Sequence, residues 1–280
     1  MKIIKSSKDL NHIIKHLKKE GKQIGFVPTM GYLHTGHVSL IRRARAENDV
    51  VVVSIFVNPI QFGPKEDFKN YPRDLNHDKR FLAPERVNYL FLPSKSSIYP
   101  KGFRNYLEPG LMACRLCGAK RPGHFRGVVT VVNRLFEIIE PDRAYFGQKD
   151  YQQVKVIEDM VQQRHLNVRI QVCPIVREKD GLAMSSRNRY LSKKERIRAR
   201  SLYQSLVEAK KKIQAGQTNP SKVKNLIKAM LNRYVDKIDY IELMDPEKLT
   251  PAKQLKLPVL IALACFVGRT RLIDNLVVKR

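Results

Sequence analysis

The residues with the clearest chemical capacity lie in a histidine-containing segment, PTMGYLHTGH, at residues 28–37. It follows an apolar run that predicts a strand and precedes a pattern that predicts a helix. The first turn of a helix offers unpaired N–H groups and partial positive charge, which suit phosphate. His34 and His37 could both donate to phosphate oxygens, and Gly36 leaves room for a nucleotide near the backbone. This H-x-G-H pattern is typical of nucleotidyl transfer, in which pyrophosphate leaves; the alternative is a pair of ordinary loop histidines.

Two amide side chains follow the next predicted strand. Asn58 and Gln61 come after residues 50–57, whose β-branched side chains favour a strand that is covered on both faces. Ligands of open parallel sheets bind at the carboxyl ends of the strands. The amides could therefore hold a small polar molecule, with Met30 as an apolar wall. Alternatively, they could cap the backbone of the turn.

A third segment, FGQKD, covers residues 146–150 after another strand-like run. Gly147 would let a ligand approach the backbone closely. Lys149 supplies a point charge for phosphate, and Asp150 could accept hydrogen bonds from ribose hydroxyls. Gln153 lies one turn further on, on the same predicted helix face as Lys149. These residue types suit a nucleotide.

A fourth segment, MSSRN at residues 184–188, combines hydroxyl groups with a guanidinium in a polar loop. Ser185, Ser186 and Arg187 could clamp the β- and γ-phosphates, because guanidinium groups form strong charge-assisted hydrogen bonds with phosphate. Five residues make a weak motif alone. A histidine segment followed by a serine-rich cationic loop is a more specific combination.

The elements that must position these residues alternate in the N-terminal part of the chain. A helix is predicted around residues 10–17, and an apolar run at 24–27, ended by Pro28, predicts a buried strand. A helix at about 36–46 and the run at 50–57 complete a βαβ unit. Further strands are predicted at 87–92, 144–146 and 168–176, and further helices at 128–139 and 154–164. The alternation predicts an α/β fold with a Rossmann-like, doubly wound parallel sheet.

A different pattern begins in the C-terminal part. Residues 192–214 predict one long basic helix, with Ser192 as N-cap and Glu195 completing a capping box. A further helix is predicted at about 220–235, and two strands at 238–243 and 259–267. Two helices followed by two strands indicate a small α+β domain. We therefore divide the chain into domains at 1–177 and 178–280.

The chain of 280 residues carries 53 Lys and Arg against 26 Asp and Glu, a formal charge of +27. Residues 181–280 contain 22 basic and 8 acidic side chains, so this segment contributes 22 − 8 = +14. A clustered basic face would favour nucleic acid or another anionic surface. However, no aromatic stacking platform accompanies the charge, and no zinc-finger, homeodomain or RRM signature occurs. A solvated basic surface is the simpler explanation, and we predict no specific nucleic-acid partner.

Composition also bears on the class of protein and its compartment. A hydrophobic share of 43%, with 11 Tyr and 11 Phe, excludes wholesale disorder. The longest apolar run, 257–267, is too short to span a bilayer, and no secretory signal is evident. Four cysteines do not make a disulfide framework, so we predict a cytoplasmic protein without membrane association. Cys114 and Cys117 form a CxxC pair that no second pair completes, and its role is unassigned.

Six segments, taken in order, resemble those of the pantothenate synthetase (pantoate–β-alanine ligase) family over nearly the whole chain. They are VPTMGYLHTGH, SIFVNPIQFG, YPRD, RPGHFRGVVTVV, FGQKDYQQ and VREKDGLAMSSRNRYLS. The resemblance implies a class I nucleotidyl-transfer fold, a smaller C-terminal domain that lids the site, and a homodimer. It also implies that ATP and pantoate form a pantoyl adenylate, which β-alanine attacks to give pantothenate and AMP after release of pyrophosphate.

The resemblance assigns the nucleotide site residue by residue. His34, His37 and Lys149 would act on the phosphates, together with Ser185, Ser186 and Arg187. Family convention makes His37 a proton donor, but a carboxylate nucleophile has no proton to lose, so we expect an electrostatic and hydrogen-bonding role. The ATP contacts implied by the family are Met30, Gly31, Tyr32, Leu33, His34, Thr35, Gly36, His37, Gly147, Gln148, Lys149, Asp150, Val176, Met184, Ser185, Ser186 and Arg187.

The resemblance also assigns the other substrates and the metal. Gln61 and Gln153 would hold pantoate, with Asn58 and Met30 beside them. Mg²⁺ would accompany ATP, and Asp78 resembles a family carboxylate near that metal. Two residues depart from the family pattern: His77 stands where some relatives have a second acid, and Gln148 where many have Glu. Arg121 and His124 of RPGHFRG could order the site or cap the following helix.

Two rival functions remain open at this point. One is another H-x-G-H enzyme, such as an aminoacyl-tRNA synthetase or a cytidylyltransferase. The basic C-terminal segment superficially fits tRNA binding, but 280 residues leave little chain for an anticodon-reading module. The other rival is a basic nucleic-acid-binding protein without enzyme activity. Exchange of pyrophosphate into ATP that depends on pantoate would separate all three.

Overall fold

The computed structural model describes residues 1–64 and 66–279. Contacts divide the chain into two compact units. The first comprises Met1–Ala113, Arg121–Gln148 and Gln153–Pro174; the second comprises Cys114–Lys120, Lys149–Gln152 and Ile175–Arg280. Two short segments, Cys114–Lys120 and Lys149–Gln152, thus belong to the second unit although they lie within the predicted N-terminal domain. A single domain boundary between residues 177 and 178 does not describe this division. The predicted domain boundary itself stays a prediction.

The first unit is built on a six-stranded parallel sheet with helices. Its strands are β1 (Lys2–Ile4), β2 (Ile24–Thr29), β3 (Val50–Ile55), β4 (Tyr89–Phe91), β5 (Arg143–Gly147) and β6 (Arg169–Cys173). Their order is β1-β4-β3-β2-β5-β6, and neighbouring strands pair in parallel. The predicted Rossmann-like, doubly wound α/β fold is confirmed. The order reverses between β2 and β5, which is where ligands of such sheets bind.

Helices alternate with these strands. They are α1 (Ser7–Lys19), α2 (Thr35–Glu47), α3 (Leu75–Leu82), α4 (Lys95–Ile98), α5 (Leu116–Lys120), α6 (His124–Ile139) and α7 (Tyr151–Gln163), with α5 in the second unit. Residues 50–53 of β3 are all buried, as the apolar run predicts for a strand that is covered on both faces. Leu40, Ile41 and Ala44 of α2 pack in the same core as Val51 and Val53. The short loop between β2 and α2 is thereby fixed at both ends.

Several predicted boundaries in this unit differ from the structure: β3 ends at Ile55 rather than 57, β6 ends at Cys173 rather than 176, and α7 begins at Tyr151 rather than 154. Two further differences have a clear physical reason. Pro28 does not end β2, which continues to Thr29. The Ile24 carbonyl accepts from the Asp142 N–H, on the side of β2 that faces β5. Backbone groups of every second residue in a strand point to the same side, so those of Pro28 also point toward β5. The pairing between β2 and β5 ends at Phe26, before Pro28 is reached. The missing N–H of Pro28 costs no ladder bond there. Helix α6 begins at His124 rather than residue 128, after Gly123 in a left-handed conformation.

Besides α5, the described residues of the second unit form further helices and an antiparallel sheet. The helices are α8 (Lys193–Ala199), α9 (Ser201–Gln214) and α10 (Pro220–Leu231), and the strands are β7 (Lys237–Met244), β8 (Val259–Val267) and β9 (Thr270–Val278) in the order β7-β8-β9. The capping box of Ser192 and Glu195 is confirmed. The single helix predicted at 192–214 is wrong, because α8 ends before Arg200 and α9 begins after it. Strand β9 was not predicted, although it covers one edge of β8 along its whole length.

Apolar faces of α9, α10 and β8 form the core of the second unit, with Leu206, Ile227 and Leu263 fully buried. The described residues contain no helix long and apolar enough to cross a membrane.

Candidate functional site

The histidine segment forms the connection from β2 to α2 at the switch point of the sheet. His34 is the N-cap of α2, and its Nδ1 accepts a hydrogen bond from the Gly36 N–H at 3.2 Å. His37 Nδ1 accepts from the His34 N–H at 3.3 Å, which completes a reciprocal capping box. The two ring centroids lie 4.1 Å apart. The sequence prediction that the pair shares one face of the first helical turn is therefore met in the structure.

These contacts define which ring nitrogen carries the proton. A neutral imidazole has one N–H donor and one acceptor nitrogen. Because Nδ1 accepts from backbone in both His34 and His37, the proton of each neutral ring lies on Nε2. The loop therefore provides two Nε2–H donors beside the positive end of the α2 dipole, an arrangement suited to a phosphate group.

Helix α3 holds this loop from the opposite side. The Asp78 carboxylate accepts from the Leu33 N–H at 2.6 Å and from the Tyr32 N–H at 3.1 Å. His77 Nε2 donates to the Leu33 carbonyl at 2.8 Å, and its ring stacks on Tyr32. Burial raises the pKa of Asp78 above its ordinary value, although the two backbone N–H groups act against that rise. Asp78 thus positions the histidine loop, a role that its sequence assignment to a metal did not include.

Gly31 is required by the same loop for two reasons. Its φ is +83°, in the left-handed region that favours glycine. A Cβ there would lie 2.9 Å from Ile55 Cγ2 and 3.1 Å from an Asp78 carboxylate oxygen. The tight turn therefore depends on the absence of a side chain.

The two amides after β3 lie together and are buried. Gln61 Oε1 accepts from Asn58 Nδ2 at 3.0 Å, and Gln61 Nε2 lies 3.1 Å from Met30 Sδ. Asn58 also donates to the Gly127 carbonyl at 3.0 Å and accepts from the Tyr99 hydroxyl at 2.8 Å. Both polar atoms of Asn58 are thus used inside the protein. The structure brings the predicted residues Met30, Asn58 and Gln61 into one cluster, in which Asn58 supports Gln61.

Gly127 was missed at the sequence level, although it determines how closely α6 approaches this cluster. A Cβ on Gly127 would lie 2.6 Å from both Gln61 Cα and the Ile60 carbonyl oxygen. Backbone atoms cannot move aside as a flexible side chain can. Glycine therefore lets α6 pack directly on the 3₁₀ turn Pro59–Gln61. No local sequence pattern signals this need, because the backbone atoms that a Cβ would meet belong to Ile60 and Gln61, more than sixty residues earlier.

His124 and Arg121 also contact the segment that carries Gln61. His124 Nδ1 lies 2.8 Å from the Gln61 carbonyl oxygen, and Arg121 Nη1 lies 2.9 Å from His124 Nε2. Arg121 forms a two-pronged ion pair with Glu66, through Nε at 2.6 Å and Nη2 at 2.7 Å. Burial alone would raise the pKa of Glu66, but the hydrogen bonds and charge of Arg121 outweigh it, and the pKa is lowered.

The segment after β5 begins in the first unit with Gly147 and Gln148. A Cβ built on Gly147 would meet no heavy atom within 4 Å, so the backbone is open to a ligand. Gln153, one of the predicted pantoate contacts, lies in the first turns of α7.

Lys149 and Asp150 belong to the second unit. Lys149 Nζ lies 3.8 Å from Asp150 Oδ1, and the Lys149 carbonyl accepts from Asn275 Nδ2 at 2.9 Å. Gln152 accepts from the Cys117 N–H at 2.9 Å and donates to the Arg115 carbonyl at 2.6 Å. The Lys149 carbonyl and the Gln152 side chain are therefore both held by contacts within the second unit.

The serine loop also lies in the second unit. Ser185 is the N-cap of the 3₁₀ turn Ser186–Tyr190, and its Oγ accepts from the Arg187 N–H at 3.3 Å. The Val176 carbonyl accepts from the Met184 N–H at 3.0 Å, which brings those two predicted ATP contacts together. Asn188 ties the loop to Glu178 at 2.8 Å. Local hydrogen bonds thus hold the two serines and Arg187 in one turn.

Within the two described stretches, no group of three or more His, Cys, Asp or Glu residues is placed to hold a metal ion. All four cysteines are free thiols.

Comparison with known proteins gives a consistent result. The family model for pantoate-beta-alanine ligase matches residues 2–277. Pantothenate synthetase of Fervidobacterium nodosum is 52% identical over 279 residues, covering 100% of both chains. That of Caldicellulosiruptor saccharolyticus is 52% identical over 280 residues, again covering 100% of both.

Solved structures agree with the sequence comparison. The crystal structure of pantothenate synthetase from Thermus thermophilus matches with a TM-score of 0.94 at 41% identity and covers 100% of both chains. The pantoate-beta-alanine ligase from Francisella tularensis, complexed with beta-gamma ATP and beta-alanine, matches with a TM-score of 0.82 at 41% identity. It covers 99% of this chain and 97% of that one.

Proposed function

This chain belongs to the pantoate–β-alanine ligase family, and we propose that it performs the ATP-dependent condensation of pantoate with β-alanine. The observation that carries the proposal is the pair of Nε2–H donors that His34 and His37 present at the N-terminus of α2. Such donors suit charge that develops on phosphate oxygens during adenylation. The products would be pantothenate, AMP and pyrophosphate.

In the first step, a carboxylate oxygen of pantoate attacks the α-phosphorus of ATP. A new O–P bond forms, the bond to the bridging oxygen breaks, and the electron pair leaves with pyrophosphate. No proton has to be removed from the nucleophile. His34 and His37 therefore act by donating hydrogen bonds to the α-phosphate and the leaving group, and their proton stays on Nε2.

Pantoate would be held by the Gln61 and Gln153 side chains, with Met30 as an apolar wall. Gln61 is supported by Asn58, so its side chain is oriented before the ligand arrives. Orientation of this kind lowers the entropy lost when substrate and nucleotide are aligned for in-line attack. Asn58 serves the site through Gln61.

ATP would be bound through backbone as well as side chains. In the first unit we assign the histidine loop and Gly147 to the nucleotide, since they lie at the carboxyl ends of β2 and β5. In the second unit we assign Lys149, Ser185, Ser186 and Arg187 to the phosphates, Asp150 to the ribose and Val176 to adenine. The turn in which Ser185 caps the Arg187 N–H supports this assignment, because it arranges the donors before binding.

In the second step, the neutral amine of β-alanine attacks the carbonyl carbon of the acyl adenylate. A C–N bond forms, the C–O bond to the adenylate breaks, and AMP leaves with the electron pair. The attacking nitrogen loses a proton to solvent or buffer in the same step.

Mg²⁺ fits this chain as a partner of ATP. Asp78 is an oxygen donor of the kind Mg²⁺ prefers, but both its oxygens already accept loop N–H groups. Phosphate oxygens and water would therefore supply most ligands, and Asp78 a remaining lone pair. When bound, Mg²⁺ neutralises phosphate charge.

We also infer a homodimer and a cytoplasmic location. The dimer follows from the family resemblance, and four free thiols support a reducing compartment. Size-exclusion chromatography with light scattering tests the first inference: one chain has a mass of 32.4 kDa, and a measured mass near that value would contradict a dimer.

Product analysis tests the proposed reaction. The purified chain, incubated with pantoate, β-alanine, ATP and Mg²⁺, should give equimolar pantothenate and AMP by mass spectrometry. Omission of β-alanine should stop pantothenate formation. ADP as the nucleotide product, or pantothenate without AMP, would overturn the proposal.

A further inference from the structure

We infer that His124, oriented by the Arg121–Glu66 ion pair, is a positioning residue for pantoate. This inference rests on the proposed function, because it concerns the residue assigned to that substrate. His124 is not assigned to contact any substrate. It acts through the backbone of Gln61, which it contacts from the first turn of α6.

The direction of each hydrogen bond in this cluster follows from the donor capacity of the side chains. An arginine side chain can only donate, so His124 Nε2, 2.9 Å from Arg121 Nη1, must accept. The ring proton therefore lies on Nδ1, which donates to the Gln61 carbonyl at 2.8 Å. His124 is only 9% exposed, so water cannot readily replace either contact.

Helix α6 contacts the turn Pro59–Gln61 at two points that share one face. His124 and Gly127 are three residues apart, so both face the turn. Gly127 accepts from Asn58 Nδ2, and His124 donates to the Gln61 carbonyl. Together they hold this segment at the Asn58 side chain and at the Gln61 carbonyl, beside the Gln61 amide that is assigned to pantoate.

The ion pair orients the histidine ring. Glu66 lies five residues after Gln61 and holds Arg121 through two hydrogen bonds of 2.6 and 2.7 Å. A guanidinium held in this two-pronged way has a fixed plane, and its Nη1 donates to His124 Nε2 at 2.9 Å, while Nη2 also lies 3.5 Å from the Gln61 carbonyl oxygen. The order of contacts is Glu66, Arg121, His124 and the Gln61 carbonyl. A purely structural role for His124 would give the same contacts, so the test must separate positioning of pantoate from stabilisation of the fold.

Two conservative variants of His124 distinguish the contributions of its two ring nitrogens. His124→Asn places an amide N–H near the Nδ1 position and keeps the donor to Gln61. His124→Gln places its terminal amide near the Nε2 position, so it keeps the contact with Arg121 and loses the donor to Gln61. His12→Gln, at an exposed position of α1, is the matched control.

The measurement is the KM for pantoate and for ATP in ATP–pyrophosphate exchange, with thermal melting of each variant. His124→Gln should raise the KM for pantoate about tenfold, the effect of one lost hydrogen bond, while the KM for ATP changes less than about twofold. His124→Asn should remain within about threefold of wild type for both. The control should match wild type.

The inference is overturned if the Asn and Gln variants are equally impaired, or if both KM values rise together. If neither variant melts cooperatively, Glu66→Gln decides, because it leaves His124 in place. It should raise the KM for pantoate about threefold more than that for ATP, and an equal change would overturn the inference. Wild-type exchange that does not need pantoate would instead refute the proposed function.

Discussion

At the scale of single residues, the structure indicates which ring nitrogen of a histidine is protonated, which the residue type alone does not. The H-x-G-H spacing predicts two histidines on one helical turn, and the structure confirms this. Which nitrogen is protonated could not be predicted, since it depends on the reciprocal contacts of His34 and His37 with backbone N–H groups. The sequence likewise shows that Asp78 is a carboxylate. Its contacts with Tyr32 and Leu33 could not be predicted, because those residues lie more than forty positions away in the sequence.

His37 variants test whether this residue donates a hydrogen bond or transfers a proton. His37→Ala should lower kcat for exchange about 10²- to 10³-fold, the usual loss when one donor to a developing anion is removed. His37→Gln keeps an N–H near the Nε2 position and should recover at least about tenfold of that loss. Steady-state exchange rates measure both, with circular dichroism to confirm folding. A Gln variant as slow as the Ala variant would show that proton transfer is required.

At the scale of elements, periodicity was enough to place most helices and strands but not their contacts. The β-branched run that became β3 and the capping box of α8 were predicted correctly. The early start of α6 was missed because Gly123 and His124 do not extend its apolar pattern. Since the closeness of α6 to Gln61 depends on residues more than sixty positions apart, no local pattern could reveal that Gly127 is needed.

Gly127→Ala tests that packing. The added methyl would lie 2.6 Å from two backbone atoms, so the turn carrying Gln61 must shift. We expect at least a tenfold rise in the KM for pantoate and about 1–3 kcal/mol less stability. Gly63→Ala is the control in the same segment, because its Cβ would meet nothing closer than 3.7 Å. Exchange kinetics and urea denaturation measure the two effects; equal behaviour of the two variants would contradict the packing account.

The Arg121–Glu66 ion pair predicts a particular dependence of stability on pH. The pKa of Glu66 is lower in the folded protein than its ordinary value of 4.5. The stability it contributes is therefore fully present above the unfolded-state pKa and is lost as pH falls through the lower folded-state pKa. Urea denaturation of wild type and Glu66→Gln should show a difference at pH 7 that shrinks below about pH 4.5. A difference that stays constant down to pH 3 would exclude the ion pair as its source.

At the scale of the whole molecule, the charge of +27 is not explained by the assigned site. His34, His37, Lys149 and Arg187 have ATP as a proposed anionic ligand. In the second unit, several acidic groups already pair with arginine, as in Arg177–Asp274, Arg198–Asp236 and Arg271–Asp239. Lysines such as Lys212, Lys222 and Lys228 remain exposed. We interpret the remaining excess as a solvated surface.

A salt series tests that interpretation. Filter binding of a mixed-sequence RNA should be measurable at low ionic strength and largely lost at about 0.15 M salt, where exposed charges are screened. Competition among RNAs of different sequence should show no preference. Binding that persists at that salt concentration and discriminates among sequences would show a nucleic-acid function that the basic surface serves.

ATP–pyrophosphate exchange with and without pantoate, in the absence of β-alanine, tests the proposed adenylation most directly. Labelled pyrophosphate enters ATP when the acyl adenylate reacts back with it, and that adenylate forms only from an acceptor carboxylate. The label should therefore enter ATP with pantoate and not without it. The Gln61→Ala variant should require a higher pantoate concentration, because it removes the amide assigned to that substrate. Exchange that proceeds without pantoate, or that an amino acid drives instead, would contradict the account.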